Sequence, residues 1–268
     1  MQERGLGPDE LPDLWNLTHP ERVEEVARLY VQAGSQVILT NTFRANRIVV
    51  SSRDPGVDVA AINRAGVEIS RRAAAGKARV FASIGPSGKL LMTGDVTEEE
   101  LRSAFAEQAR ALAEAGADAI VIETMSDLAE AKIALEAAKA TGLMTVTCMV
   151  YDSGKNKDRT MMGVTPEQAA EELGAAGADV IGANCGNGIA GYIPVCERLH
   201  ATTRLPVWIK PNAGLPRMAD GKVVYDTTPG EFASFVPRLV EAGATYIGGC
   251  CGTSPEFIKA VKAALAAL

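Results

Sequence analysis

Three cysteines stand where apolar segments of the sequence run into glycine. Cys185 lies in IGANCGNG, and Cys250 and Cys251 are adjacent in YIGGCCGT. Neighbouring residues of a strand point to opposite faces, so the adjacent pair can address one point only if the strand breaks there, as the flanking glycines permit. Three convergent thiolates suit Zn²⁺ and leave its fourth tetrahedral position open, as in catalytic sites. The pattern favours a zinc site over a buried apolar pair or a vicinal disulfide.

A zinc ion held by three thiolates would favour thiol chemistry. Such a centre carries a formal charge of −1, which makes it a poor Lewis acid for activating water. A free thiol with a pKa of ~8.5 is only about 3% ionised at pH 7, and coordination would make it fully thiolate, a roughly thirtyfold gain worth ~2 kcal/mol. The chemistry indicated is attack by a small thiol on an electrophilic carbon.

The remaining cysteines and both histidines have structural interpretations. Cys148 lies inside the apolar segment TVTCMVY and Cys196 inside the helical segment PVCERLH, so core packing is predicted for both. His19 stands at a helix entry and His200 in the last turn of a helix. Without a histidine at a strand end, a Ser-His-Asp or Cys-His nucleophile is not expected.

The elements that must position the cysteines follow a repeated pattern. The segments AGSQVI, AGADAI, AGADVI and AGATYI each combine a glycine suited to ending a helix with β-branched residues suited to a buried strand. Further apolar segments lie between them. The sequence predicts seven strands, at 36–43, 79–85, 119–124, 144–151, 179–184, 206–211 and 245–250, which is one short of a closed (β/α)8 TIM barrel. The cysteine-bearing strand ends would then share the C-terminal rim, and a doubly wound sheet is the alternative.

Composition limits the class of protein and its partners. The 268 residues show no linker or shift in composition, which predicts one domain over 1–268. The charge of −6 disfavours nucleic acid, and no apolar segment reaches the length of a membrane span. We therefore expect a cytoplasmic protein.

The sequence resembles the homocysteine S-methyltransferase family, which includes the homocysteine-binding domain of cobalamin-dependent methionine synthase and betaine–homocysteine methyltransferase. The resemblance rests on TNTF at 40–43, IGPSGK at 84–89, VIETM at 121–125, GANCG at 182–186, KPNAGLP at 210–216 and GGCCGT at 248–253. It implies a (β/α)8 barrel in which Cys185, Cys250 and Cys251 hold zinc. The expected activity is a zinc-dependent methyltransferase reaction that converts homocysteine to methionine.

The resemblance also implies roles for substrate-binding residues. Glu123 would hold the amino group of homocysteine, and Asn212 would occupy the fourth zinc position until the thiol arrives. Asn41 and Thr42, in the TNTF motif, are further candidates for binding substrate.

The methyl donor and the oligomeric state are less defined by the sequence. No corrinoid-binding or nucleotide-binding segment is evident, so the donor would be a free molecule or a separate methyl-corrinoid protein. The alternatives are a subunit that exchanges methyl groups with such a protein, using another acceptor or donor, and a non-catalytic zinc barrel with Cys148 as a fourth ligand. The missing eighth strand corresponds to the first strand of the family, and the unpaired edges left by its absence favour a homo-oligomer. Weak homocysteine binding is then expected.

Overall fold

The computed structural model, which describes residues 1, 4–7, 9–219 and 222–268, alternates parallel strands with helices. The strands are β1 Val37–Leu39, β2 Arg79–Ile84, β3 Ala119–Met125, β4 Met144–Met149, β5 Val180–Cys185, β6 Val207–Pro211, β7 Arg217–Ala219, β8 Lys222–Val224 and β9 Ala244–Ile247. The helices are α1 Trp15–Thr18, α2 Pro20–Gln32, α3 Arg47–Arg53, α4 Val59–Ala74, α5 Glu98–Glu114, α6 Leu128–Lys139, α7 Pro166–Ala175, α8 Tyr192–Thr202, α9 Pro229–Ser234, α10 Val236–Glu241 and α11 Pro255–Ala266.

All seven predicted strands are present and parallel, in the sheet order β1-β2-β3-β4-β5-β6-β9. The four glycines of the repeated segments have φ values of 94°, 89°, 91° and 95°, which confirms their predicted role in ending helices. A parallel sheet of seven strands alternating with helices is the arrangement expected of a TIM barrel lacking one strand. The short antiparallel pair β7 and β8 was not predicted.

The first and last predicted strands end three or more residues earlier than expected, whereas the other five end within two residues of the prediction. The first stops at Leu39 rather than residue 43, because the Thr42 hydroxyl donates to the Ser83 carbonyl at 2.7 Å, where a strand would make backbone bonds. The last stops at Ile247 rather than residue 250, before the Gly248–Gly249 pair. Cys250 and Cys251 therefore lie in a turn, as their convergence requires.

The chain divides into two compact units, and a single domain over 1–268 stays a prediction. The first unit comprises Met1–Ile122 and Ala129–Thr145. In it β1 pairs with β2, and β2 with the start of β3. Helix α5 begins with a capping box in which Thr97 and Glu100 satisfy each other's backbone N–H groups. The apolar face of this helix, including the fully buried Phe105, lies in the core.

The second unit comprises Glu123–Leu128 and Val146–Leu268, and it contains the predicted zinc ligands. In it β4, β5, β6 and β9 pair in parallel, and α8 packs against β5 and β6. The strands approach so closely at Gly182 that a Cβ there would lie 2.0 Å from the Trp208 carbonyl oxygen. Only glycine fits at this position. No helix among the described residues is long and apolar enough to cross a membrane.

Asp13, in the first unit, gives a stability prediction that depends on pH. Its side chain is buried and accepts a hydrogen bond from the Arg44 backbone N–H at 2.9 Å. Burial raises the pKa of Asp13 from 3.8 to about 6. Between these values the folded chain binds more protons than the unfolded chain, so the free energy of unfolding falls as pH rises through this window.

Asp13→Asn removes this penalty and keeps the oxygen that accepts from Arg44. We expect the variant to be more stable than the native chain by roughly 1–3 kcal/mol at pH 7.5, and by much less near pH 4. Denaturant unfolding at both pH values checks this, with the exposed Asp9→Asn as control. A difference that does not depend on pH would contradict it.

Candidate metal centre

The three predicted zinc ligands converge in the structure. The sulfur atoms of Cys185, Cys250 and Cys251 all lie within 4.8 Å of one another, and the Cys185 and Cys250 sulfurs are 3.1 Å apart. Cys185 and Cys250 are half-buried, whereas Cys251 is exposed. Sulfurs around a tetrahedral zinc ion at ~2.3 Å would lie about 3.8 Å apart, so only small shifts separate this cluster from a metal site.

The local backbone explains how adjacent residues reach one point. Cys185 ends β5 with φ 62°, in the left-handed region, which breaks the alternation of the strand. Beyond β9 the Cys250 N–H donates to the Pro211 carbonyl, and the Cys251 carbonyl accepts from the Ala213 N–H, both at 2.9 Å. These bonds fix the turn that carries two of the three thiols.

Gly252 completes this turn and is required there. It has φ +79°, and a Cβ on it would lie 2.3 Å from the ring of Tyr225. The aromatic ring therefore lies directly against the backbone next to Cys251. Tyr225 follows β8, so the unpredicted β7–β8 hairpin supplies a residue beside the cluster.

Asn184 connects the cluster to β3. Its amide oxygen accepts from the Thr124 N–H and its amide nitrogen donates to the Thr124 hydroxyl, both at 2.7 Å. The same nitrogen lies 3.5 Å from the Cys185 sulfur and 3.8 Å from the Cys250 sulfur, within the range of N–H to sulfur bonds. Asn184 is fully buried and thus orients two of the three sulfurs.

The thiols influence one another's ionisation. Hydrogen bonds from Cys185, and next from Cys250, lower the pKa of Cys251 to about 3. Hydrogen bonds with Cys250, and next with Cys251, raise the pKa of Cys185 above its ordinary value, and burial acts in the same direction. The cluster therefore holds its first negative charge on the exposed sulfur, where thiol donors stabilise it.

Glu123 makes a buried ion pair near the end of β3. Its carboxylate lies 2.5 Å from the Lys210 ammonium, and the two side chains are only 10% and 3% exposed. Burial by itself would lower the pKa of Lys210, but the charge of Glu123 raises it above its ordinary value. Lys210 is therefore a cation inside the protein, and the contribution of Glu123 to substrate binding stays a prediction.

The Asn212 side chain lies beside the cluster, where it contacts backbone groups of two other residues. Its side-chain oxygen accepts from the Cys251 N–H at 3.0 Å, and its amide nitrogen donates to the Gly186 carbonyl at 2.9 Å. The side chain thus ties the turn of Cys251 to the loop after Cys185. Its role as a temporary metal ligand stays a prediction.

Asn41 and Thr42 belong to the first unit and make internal hydrogen bonds there. The Asn41 amide donates to the Pro12 carbonyl at 2.8 Å and to the Asn16 side chain at 3.0 Å. The Thr42 hydroxyl donates to Ser83, as described above. These bonds shape the loop after β1, and binding of substrate by either residue stays a prediction.

The remaining cysteines lie in the core, as predicted. Cys148 and Cys196 are both fully buried, and burial raises the pKa of each thiol to about 12. Among the described residues, the cluster consists of the three predicted cysteines and does not include Cys148. The donor set therefore fits a soft divalent metal with an open coordination position rather than a closed four-cysteine site.

The sequence of this chain is similar to those of known proteins. The sequence profile described as homocysteine S-methyltransferase matches residues 3–265. The chain belongs to the homocysteine S-methyltransferase family. Two curated relatives, the methionine synthases of Mycobacterium leprae and Mycobacterium tuberculosis, are each 30% identical over 264 residues. The match covers 95% of this chain but only 22% of each relative, so the chain spans about a fifth of their length.

A solved structure supports the same family and the fold. The metallated form of the homocysteine methyltransferase MmuM from Escherichia coli superposes with a TM-score of 0.80 at 26% identity. The superposition covers 98% of this chain and 91% of the other. A homocysteine methyltransferase that shares this fold thus exists in a metallated form.

Sequence reasoning missed four residues of this candidate site. They are Thr124, Asn184, Lys210 and Tyr225. A lysine inside the apolar segment PVWIKP was a usable signal, because buried lysines are rare unless they are paired. Asn184 immediately precedes a predicted ligand, but its contacts with Thr124 depend on the folding of two strands.

Proposed function

We propose that this chain is a metal-dependent thiol methyltransferase that uses zinc and methylates homocysteine to methionine. The observation that carries the proposal is the convergence of three cysteine sulfurs within 4.8 Å at the ends of strands. Membership of the homocysteine S-methyltransferase family supports the choice of acceptor. The curated relatives are much longer than this chain. Their activity as whole proteins therefore comes to this chain only as a proposal.

Cys185, Cys250 and Cys251 would hold the metal. When bound, zinc supplies a fourth position at which the acceptor thiol loses its proton at neutral pH. The exposed side of Cys251 gives the acceptor its route to the site. Asn184 orients the Cys185 and Cys250 sulfurs through its amide N–H groups, and Asn212 fixes the backbone of Cys251.

The transfer itself needs an acceptor sulfur and a methyl carbon in line. The sulfur–carbon bond forms while the bond from carbon to the donor atom breaks, and the donor atom leaves with that electron pair. The thiol proton goes to solvent. The carboxylate of Glu123 would bind the ammonium group of homocysteine and so place its sulfur at the cluster.

The donor is a free methylated molecule or a methyl group carried by another protein, such as a methyl-corrinoid. Exchange of methyl groups with a separate corrinoid protein is therefore an extension of this proposal. The non-catalytic alternative needs a fourth protein ligand, and Cys148 lies outside the three-cysteine cluster. The open donor set favours catalysis.

Cobalt substitution tests acceptor binding without knowledge of the donor. The chain loaded with Co²⁺ should show sulfur-to-metal absorption that increases when L-homocysteine is added, and methionine, which lacks a thiol, should cause no change. The zinc-loaded chain should then form methionine from homocysteine with at least one of a sulfonium, a quaternary ammonium or a methyl-corrinoid donor. An unchanged cobalt spectrum at millimolar homocysteine would contradict the proposal.

A further inference from the structure

Lys210, which forms a buried ion pair with Glu123, is the most notable residue of the second unit without an assigned role. A lysine with a 3% exposed side chain is costly unless its charge is paired, and the 2.5 Å contact with Glu123 provides that pairing. Such pairs often contribute little net stability compared with apolar residues of the same volume. The charges at this position therefore invite a functional explanation.

The Lys210 side chain packs against an aromatic ring and a glycine of the second unit. Its ammonium lies 4.8 Å from the centre of the Trp208 ring, a cation–π distance. Gly248, beyond β9, is next to the lysine stem, since a Cβ there would lie 3.4 Å from the Lys210 Cγ atom. The aromatic ring and the glycine thus pack against the lysine side chain, whose ammonium contacts Glu123.

The strand register connects this pair to the cysteine cluster. Lys210 of β6 is the register partner of Asn184 of β5, so their side chains leave the same face of the sheet. Asn184 contacts Thr124 and two cluster sulfurs. Lys210 contacts Glu123, the residue immediately before Thr124. Thr124 has φ 61°, which breaks the alternation of β3 and lets consecutive residues reach this one row. The paired residues Asn184 and Lys210 therefore contact the sulfurs and the carboxylate respectively.

We propose, on the basis of the proposed function, that Lys210 is a positioning residue that orients the Glu123 carboxylate so that the site selects thiols bearing an α-ammonium group. A carboxylate has about four acceptor positions on its two oxygens, so it can bind lysine and a second ammonium together. The contact of Lys210 with Oε2 helps to fix the direction in which the carboxylate points. Because the pair has no net charge, recognition depends on this direction rather than on attraction at a distance.

Two ligands that differ only in the amino group measure this selectivity. Homocysteine and 4-mercaptobutanoate have the same thiol, chain length and carboxylate. Titration into the cobalt-loaded chain, followed by absorption and by calorimetry, gives the ratio of their affinities. We expect the native chain to prefer homocysteine by at least about 10-fold, the scale of one hydrogen bond to a charge.

Lys210→Met should weaken homocysteine binding by about 10-fold or more and change 4-mercaptobutanoate binding by less than about twofold, with bound cobalt unchanged. Lys210→Arg should restore part of the preference, because it keeps a donor cation. Adding Lys210→Met to Glu123→Gln should change the ratio of affinities by less than about twofold, because the lysine acts through the carboxylate. If Lys210→Met fails to fold, the uncharged double variant still tests the pair, and its ratio should be near one.

Several results would overturn this inference. Equal weakening of both ligands by Lys210→Met, or loss of cobalt, would show a structural role only. An unchanged ratio in Lys210→Met or in the double variant would show that the ammonium is recognised elsewhere. A native chain that binds both thiols equally would overturn this inference alone, whereas one that binds neither would overturn the proposed function as well.

Discussion

Serine in place of Cys185, Cys250 or Cys251, one at a time, is expected to abolish stable zinc binding and methyl transfer together. The three sulfurs lie within 4.8 Å of one another, so each can serve as a thiolate ligand of one zinc ion. A serine hydroxyl does not ionise near neutral pH and is a poor zinc ligand. Even changes in residues behind metal ligands cost about 10–100-fold in affinity, so loss of a ligand should cost more than about 100-fold. Zinc content after gel filtration and chelator competition measure the effect.

The two core cysteines provide matched controls. Cys148→Ala and Cys196→Ala also remove one thiol each, and both positions are fully buried away from the three-cysteine cluster. These variants should keep about one zinc per chain and lose some stability through the small cavity they leave. Loss of zinc from Cys148→Ala would favour the closed structural site, and retention of tight zinc binding by all three serine variants would exclude the proposed centre.

Asn184→Ala is expected to have the second-largest effect, because this side chain orients the ligands without binding the metal. The substitution removes both bonds to Thr124 and both amide contacts with the cysteine sulfurs. It also leaves the Thr124 N–H and hydroxyl without these partners. We expect zinc affinity to fall by about 10–100-fold and the free energy of unfolding to fall by roughly 2–4 kcal/mol.

Chelator competition and denaturant unfolding of the zinc-loaded chain measure these two quantities. Asn187→Ala is the matched control, since this asparagine lies three residues later, in the turn after β5, and is only half-buried. It should leave zinc affinity within about threefold of the native value. An Asn184→Ala chain with native zinc affinity would show that the sulfurs are oriented by the backbone alone.

The sequence by itself determined the strand count and the identity of the clustered cysteines. Buried parallel strands form continuous apolar segments, and glycines end the preceding helices, so 79–85, 119–124 and 206–211 were predictable within a residue or two. Parallel strands place their carboxyl ends at one edge, which brought Cys185 and the Cys250–Cys251 pair together in the prediction. These features depend on composition over short segments.

Only the tertiary structure decided how those cysteines are oriented and what surrounds them. Thr124 and Cys185 have left-handed backbone where β3 and β5 contact each other. The contacting residues Thr124 and Asn184 are 60 residues apart in the sequence. The partner of Glu123 is 87 residues away, at Lys210, and no local pattern specifies such a pairing. Tyr225 reaches the cluster because a hairpin folds back on Gly252. Side-chain contacts between distant segments are set by packing and register, which a sequence read locally does not contain.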